Sequence, residues 1–165
     1  MSSLRRSALS LDIRGLAKRR VKAEIARELK RQVLRAQRAA GLEARDVALS
    51  LTDDAEIFAL NRDYAQEDHA TDVLSFSQDE GETGVHSRAL GDIVISVETA
   101  ARQAKAGRRR LVDELIHLAV HGLAHLQGFD HATPDEERVM FGYEALLRAQ
   151  ASQRGVVKRV PRPRG

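Results

Sequence analysis

The chain has 165 residues, 42% hydrophobic and 31% charged, which is about one domain's worth of material and too apolar for an intrinsically disordered chain. It contains no cysteine, so disulfide frameworks, thiolate zinc sites, iron–sulfur ligation and cysteine nucleophiles are excluded, and any metal must be held by His, Asp or Glu. The net charge of +3 is unevenly spread: residues 1–45 carry 13 Lys/Arg against 4 Asp/Glu, residues 46–107 carry 4 against 13, and residues 108–165 carry 10 against 7.

Ala8–Ile13 alternates apolar and polar residues as a half-buried strand does. From about Leu16 to Ala40, Val21, Ile25, Leu29 and Val33 recur at every fourth position, and Gly41 stops the pattern. This predicts one long amphipathic helix with an Arg-rich outer face. Val47–Thr52 alternates as a second strand. Asp53, with Glu56 three residues on, caps a helix that places Ile57, Leu60 and Tyr64 on one face. Val73–Ser77 reads as a third strand, Gln78–Arg88 as an exposed loop and Gly91–Ser96 as a fourth strand. Ser96 caps a helix to about Ala106, ended by Gly107, and the next helix, about Arg108–Leu126, is apolar around much of its circumference and is expected to be central and buried. Thr133, Pro134 and Glu136 open a last helix to about Ala151. The remainder, Gln153–Gly165, has five basic residues, no acid and two prolines, the composition of a disordered tail. The pattern predicts an α+β fold, an α/β sandwich in which a small four-stranded mixed sheet packs against about five helices. Residues 1–152 read as a single domain, with a basic disordered tail over 153–165.

Four of the six histidines, His117, His121, His125 and His131, fall in the run HLAVHGLAHLQGFDH. His121 and His125 are one helical turn apart and project from one face, about 5–6 Å between Cβ atoms, so their imidazoles can reach one ion. Gly128 can adopt the left-handed backbone that ends a helix, and the chain then swings His131 back as a third ligand. Three neutral nitrogens with a fourth position open suit a catalytic zinc, although nickel, cobalt and copper share this ligand preference. The string H-x-x-x-H-x-x-G-x-x-H matches metzincin spacing, but Gly122 stands where zinc proteases carry their general-base glutamate. A glycine there is expected to leave room above the metal for substrate. His117 reads as a fourth ligand, a partner supporting the ligands, or a core histidine. Asp130 reads as an orienter of a ligand imidazole, a proton acceptor, or a helix-stop residue.

The run Glu114–His131, ELIHLAVHGLAHLQGFDH, resembles the signature of the YbeY-type endoribonucleases, H-G-x-x-H-L-x-G-[YF]-D-H, and two further blocks agree, within Ser50–Phe76 and at Leu90–Ser96. The resemblance extends over about Leu9–Leu147. It implies a zinc-dependent single-strand endoribonuclease, one zinc per chain on His121, His125 and His131, acting in maturation of the small-subunit ribosomal RNA 3′ end and in ribosome quality control. It also implies ribosomal RNA, the small subunit and assembly factors as partners. One departure stands out: the family block N-x-x-Y-R continues here as Asn61, Arg62, Asp63, Tyr64 and then Ala65, so the arginine associated with RNA binding or cleavage is missing and Arg62 is the available substitute.

Substrate phosphates are expected on the basic first helix, at Lys18, Arg19, Arg20, Lys22, Arg27 and Arg31, with Arg108–Arg110 and the tail as further contacts. The competing readings are a non-catalytic assembly factor with a structural zinc, and a zinc peptidase supported by ligand spacing alone. No apolar run approaches the roughly 20 residues that span a bilayer, and the basic N-terminus lacks a following apolar segment, so a cytoplasmic protein without membrane contact is expected.

Overall fold

Strands β1 (Leu9–Ile13), β2 (Asp46–Thr52), β3 (Val73–Ser77) and β4 (Ala89–Ser96) form one sheet in the order β1-β2-β4-β3. β1, β2 and β4 run parallel, and β3 pairs antiparallel with β4 at the edge. The helices are α1 (Ala17–Arg20), α2 (Ala23–Ala39), α3 (Asp54–Leu60), α4 (Val97–Ala106), α5 (Leu111–Leu126) and α6 (Pro134–Ser152), and α3 runs on into a π-helical turn at Asn61–Ala65. This computed structural model describes residues 8–65, 71–78 and 88–164. The exposed loop expected at Gln78–Arg88 falls largely outside the described residues.

Strand registry aligns side chains in continuous rows. Leu9, Leu11 and Ile13 lie beside Val47, Leu49 and Leu51, which lie beside Gly91, Ile93 and Ile95, followed by Ser77, Ser75 and Val73. Alternation puts these residues on one face, where α2 and α5 cover them. The opposite face carries Ser50, Asp92, Val94 and Phe76 and is flanked by Leu60 and Tyr64. Burying a leucine completely is worth about 1.5–3 kcal/mol, so Leu9, Leu49, Leu51, Leu115, Leu123 and Leu147 hold the layers together. α5 is the central helix, as its apolar circumference predicts, packed against β3, β4, α2, α4 and α6. The predicted caps are present: Asp53, Ser96 and Thr133 each accept a hydrogen bond from the backbone N–H three residues on.

Two expectations need correction. The helix predicted over Leu16–Ala40 is broken at Val21–Lys22, where both residues are extended (ψ 94° and 162°). Val21 turns its side chain into the core, and Lys22 becomes the residue preceding α2. The tail is not a disordered appendage over its described length. Val160 is buried and its N–H donates to Ala39 O at 2.8 Å, Lys158 N–H donates to Gln150 Oε1 at 2.8 Å, and Arg35 donates to the carbonyls of Ala151, Gln153 and Gly155. Polar composition predicts disorder only where the body supplies no partners; here α2 and α6 supply them. Among the described residues no helix is long and apolar enough to cross a membrane.

Candidate metal centre

His121 and His125 leave the last two turns of α5, and His131 returns from the turn that follows. Gly128 has φ +94°, a conformation that favours glycine, and this reverses the chain. One ring nitrogen from each of the three histidines lies within 4.8 Å of the other two. His121 Nε2 and His125 Nε2 are 3.1 Å apart. Two nitrogens bound to one tetrahedral zinc at about 2.0–2.1 Å would be separated by about 3.3 Å, so the pair is already spaced for a shared ion.

The outer nitrogens settle the tautomers. His125 Nδ1 is 3.0 Å from Phe129 O, and a carbonyl oxygen can only accept, so Nδ1 carries the proton and Nε2 presents a lone pair. His121 Nδ1 is 2.7 Å from Oε1 of Glu144, a residue only 2% exposed. Burial, followed by neighbouring His121 and His131, holds the His125 imidazole below the ordinary histidine value, against the opposing influence of Phe129 O and Asp130. Neutral imidazoles with fixed outer protons are the form that binds a cation. The donor set therefore fits a divalent metal, and nitrogen ligands with one exposed member fit zinc.

These histidines face the β3 edge across an open cleft of about 580 Å³, walled by residues from Thr71 to Ser77 and by Leu126. Asp72 is the acid of that wall, its carboxylate held by Gln103 Nε2 at 3.3 Å.

The other sequence candidates are placed as follows. Asp130 is exposed, and its Oδ1 accepts from His131 N–H at 2.8 Å, so it holds the turn. His117 is an exposed residue in a separate groove of about 530 Å³ with Arg109 and Arg148. Desolvation in that groove, followed by Arg148, lowers its pKa. Arg62 is exposed on the π-helical turn, 3.2 Å from Asp63 Oδ1, and is not among the residues walling the cleft. Lys18, Arg19, Arg20, Lys22, Arg27 and Arg31 are all exposed on α1, α2 and their junction. Arg31 is held by two hydrogen bonds to Glu28, which it keeps at a pKa of about 2.

Gly122 does not open space above the metal. It is buried against the sheet, and a Cβ there would lie 2.8 Å from Ile93 Cγ2. Glycine at this position lets α5 approach β4, and a glutamate would be aimed into the core rather than at the histidines.

Sequence reasoning missed Glu144 and Asp72. Glu144 sits on the α6 stripe Met140, Tyr143, Leu147 and Ala151, and a carboxylate on an apolar stripe signals a buried partner.

The family model for Endoribonuclease YbeY matches residues 14–152. The chain belongs to the YbeY endoribonuclease family. It is 45% identical over 113 residues to Endoribonuclease YbeY of Listeria innocua, covering 62% of this chain and 70% of that protein. It is 46% identical over 112 residues to the Geobacillus kaustophilus protein of the same name, covering 64% and 72%. The chloroplastic Endoribonuclease YBEY of Arabidopsis thaliana is 48% identical over 108 residues, which span 65% of this chain and 18% of that longer protein. The solution structure of TM1509 from Thermotoga maritima superposes with a TM-score of 0.58 over 87% of this chain and 88% of that one, at 20% identity, a likeness of fold.

Proposed function

We propose that this YbeY-family protein is a zinc-dependent endoribonuclease that cuts single-stranded RNA during small-subunit ribosomal RNA maturation and takes part in ribosome quality control in the cytoplasm. Ribosomal RNA, the small subunit and its assembly factors are its partners on this reading. The observation that carries the proposal is the convergence of His121, His125 and His131, with the outer nitrogens of the first two fixed by Glu144 and Phe129 O.

The protein's own contribution is positional. Glu144 accepts the proton of His121 Nδ1 and Phe129 O that of His125, which leaves both Nε2 lone pairs directed at one point. His131 is exposed and lines the open cleft together with residues of β3. Zinc held by His121, His125 and His131 would supply Lewis-acid chemistry for phosphodiester hydrolysis. Asp72 is the carboxylate among the residues that wall the cleft. Phosphates outside the cleft are gathered by Lys18, Arg19, Arg20, Lys22 and Arg27, with Arg62 as a further contact, while Glu28 partly neutralises Arg31.

The test is elemental analysis of the purified protein together with a ribonuclease assay on wild type and His125→Ala. About one zinc per chain and cleavage of single-stranded RNA are expected for wild type, with both lost in the variant. Full cleavage by a metal-free His125→Ala protein refutes the proposal. A zinc-loaded wild type that binds RNA but never cuts it favours the assembly-factor reading.

A further inference from the structure

The basic tail ends at the metal turn. Arg162 Nη2 donates to Gln127 O at 2.6 Å, capping the last turn of α5, and its guanidinium lies over the Phe129 ring, 5.2 Å from the centroid. Phe129 is also stacked with Tyr143, ring centroids 4.9 Å apart, and Tyr143 Oη in turn donates to Gln127 Oε1 at 3.0 Å. Residues 127–129 are thus held by both the tail and α6. The grip matters because Phe129 O receives the His125 Nδ1 proton, and because the reversal at Gly128 brings His131 to the site. The tail's own position is set upstream, by Val160 N–H on Ala39 O and by Arg159, whose guanidinium packs beside Gly41.

We propose that residues 153–164 form a clamp on the metal turn, with Arg162 as a positioning residue that raises the metal affinity of His125 and His131. This rests on the reading of the three histidines as a metal centre. The physical reasoning is preorganisation. A turn free to rock lets the Phe129 carbonyl leave His125, so that ion binding must first restore the tautomer and the approach of His131. The guanidinium restricts that motion without touching the ligands. Its charge works in the opposite direction, since a cation near a cation site disfavours the second one. Removing Arg162 therefore gives opposite signs for the two effects: loss of the clamp weakens binding, whereas relief of repulsion tightens it.

The experiment uses the full chain in four forms: wild type, Arg162→Ala, Arg162→Lys and the control Arg164→Ala. Zinc affinity is measured by competition with a chromophoric chelator, the visible spectrum is recorded with Co(II) in place of zinc, and thermal unfolding is followed on the metal-free proteins. We expect Arg162→Ala to bind zinc about 10-fold more weakly, at the low end of losses produced by removing groups that support metal ligands, and to alter the Co(II) band. Arg162→Lys, which keeps a donor and a cation, should recover most of the affinity, and Arg164→Ala should match wild type. Metal-free melting temperatures should be alike in all four.

Unchanged or tighter zinc binding by Arg162→Ala overturns the clamp. So does a fall in affinity accompanied by a matching fall in the metal-free melting temperature, because that marks a general loss of fold. If wild type itself binds neither zinc nor Co(II), the metal-centre reading fails and the clamp with it, a result plainly different from failure of the clamp alone.

Discussion

Glu144 shows how much a single buried carboxylate can decide. At 2% exposure it accepts from His121 Nδ1, and its charge also acts on the neighbouring Arg148. Glu144→Gln keeps the size but removes the carboxylate that accepts the His121 Nδ1 proton and fixes that ring, so zinc affinity should fall about 10- to 100-fold with the fold retained, as chelator competition will read. Gly122 makes the opposite point, that a residue beside a ligand can belong wholly to packing. A methyl group at that position would meet Ile93 at 2.8 Å, so Gly122→Ala should destabilise the protein by about 1–3 kcal/mol in urea unfolding while ligand geometry persists. Wild-type stability in that variant would mean that the helix–sheet contact is loose. The histidine triad is legible from spacing because its three members and the turn that gathers them lie within eleven positions. Glu144, thirteen residues beyond His131, is not, since its role depends on how α6 lies against α5.

At the scale of elements, local signals served well where they were chemically distinct. Asp53, Ser96 and Thr133 all cap as their residue types predict, the first two strands follow from alternation, and the third and fourth lie where apolar stretches of the sequence place them. The failures arose where a distant element decided the outcome. Val21 fits a helical stripe by spacing, yet the core pulls it into extended backbone and splits the first helix. The tail has no periodicity, yet Arg35 on α2 holds it by donating to Ala151, Gln153 and Gly155 carbonyls beyond the end of α6. These are charge-assisted bonds to carbonyls at a helix terminus, so Arg35→Ala should cost about 1–2 kcal/mol in thermal or urea unfolding. It should also raise amide exchange selectively in residues 150–160. Unaltered exchange there would show that the contacts of Lys158, Val160 and Arg162 hold the tail without Arg35.

For the whole molecule, charge and protonation set the conditions of work. If RNA is gathered by exposed α1 and α2 cations, the logarithm of affinity for single-stranded RNA should fall linearly with the logarithm of salt, by about 0.7 per phosphate contact. Filter binding from 50 to 300 mM salt will reveal this slope, and a flat line removes the electrostatic account. The acid limb follows from His125 and His117, whose folded-state pKa values lie below the ordinary 6.5. Below pH 6.5 the unfolded chain takes up protons that the folded one resists, so the metal-free protein should lose stability as pH falls from 6.5 toward those lowered values and should show no such dependence above pH 7. Urea midpoints at pH 5.5 and 7.5 that coincide would contradict both assignments.

The parts of the cleft are made in a fixed order during synthesis. Its wall comes from residues 71–77, its ligands from residues 121–131, and the brace on their turn from Arg162. With the clamp as proposed, a nascent chain holds its histidines on an unbraced turn until Arg162 has cleared the exit tunnel, so full metal affinity comes only once the tail has docked.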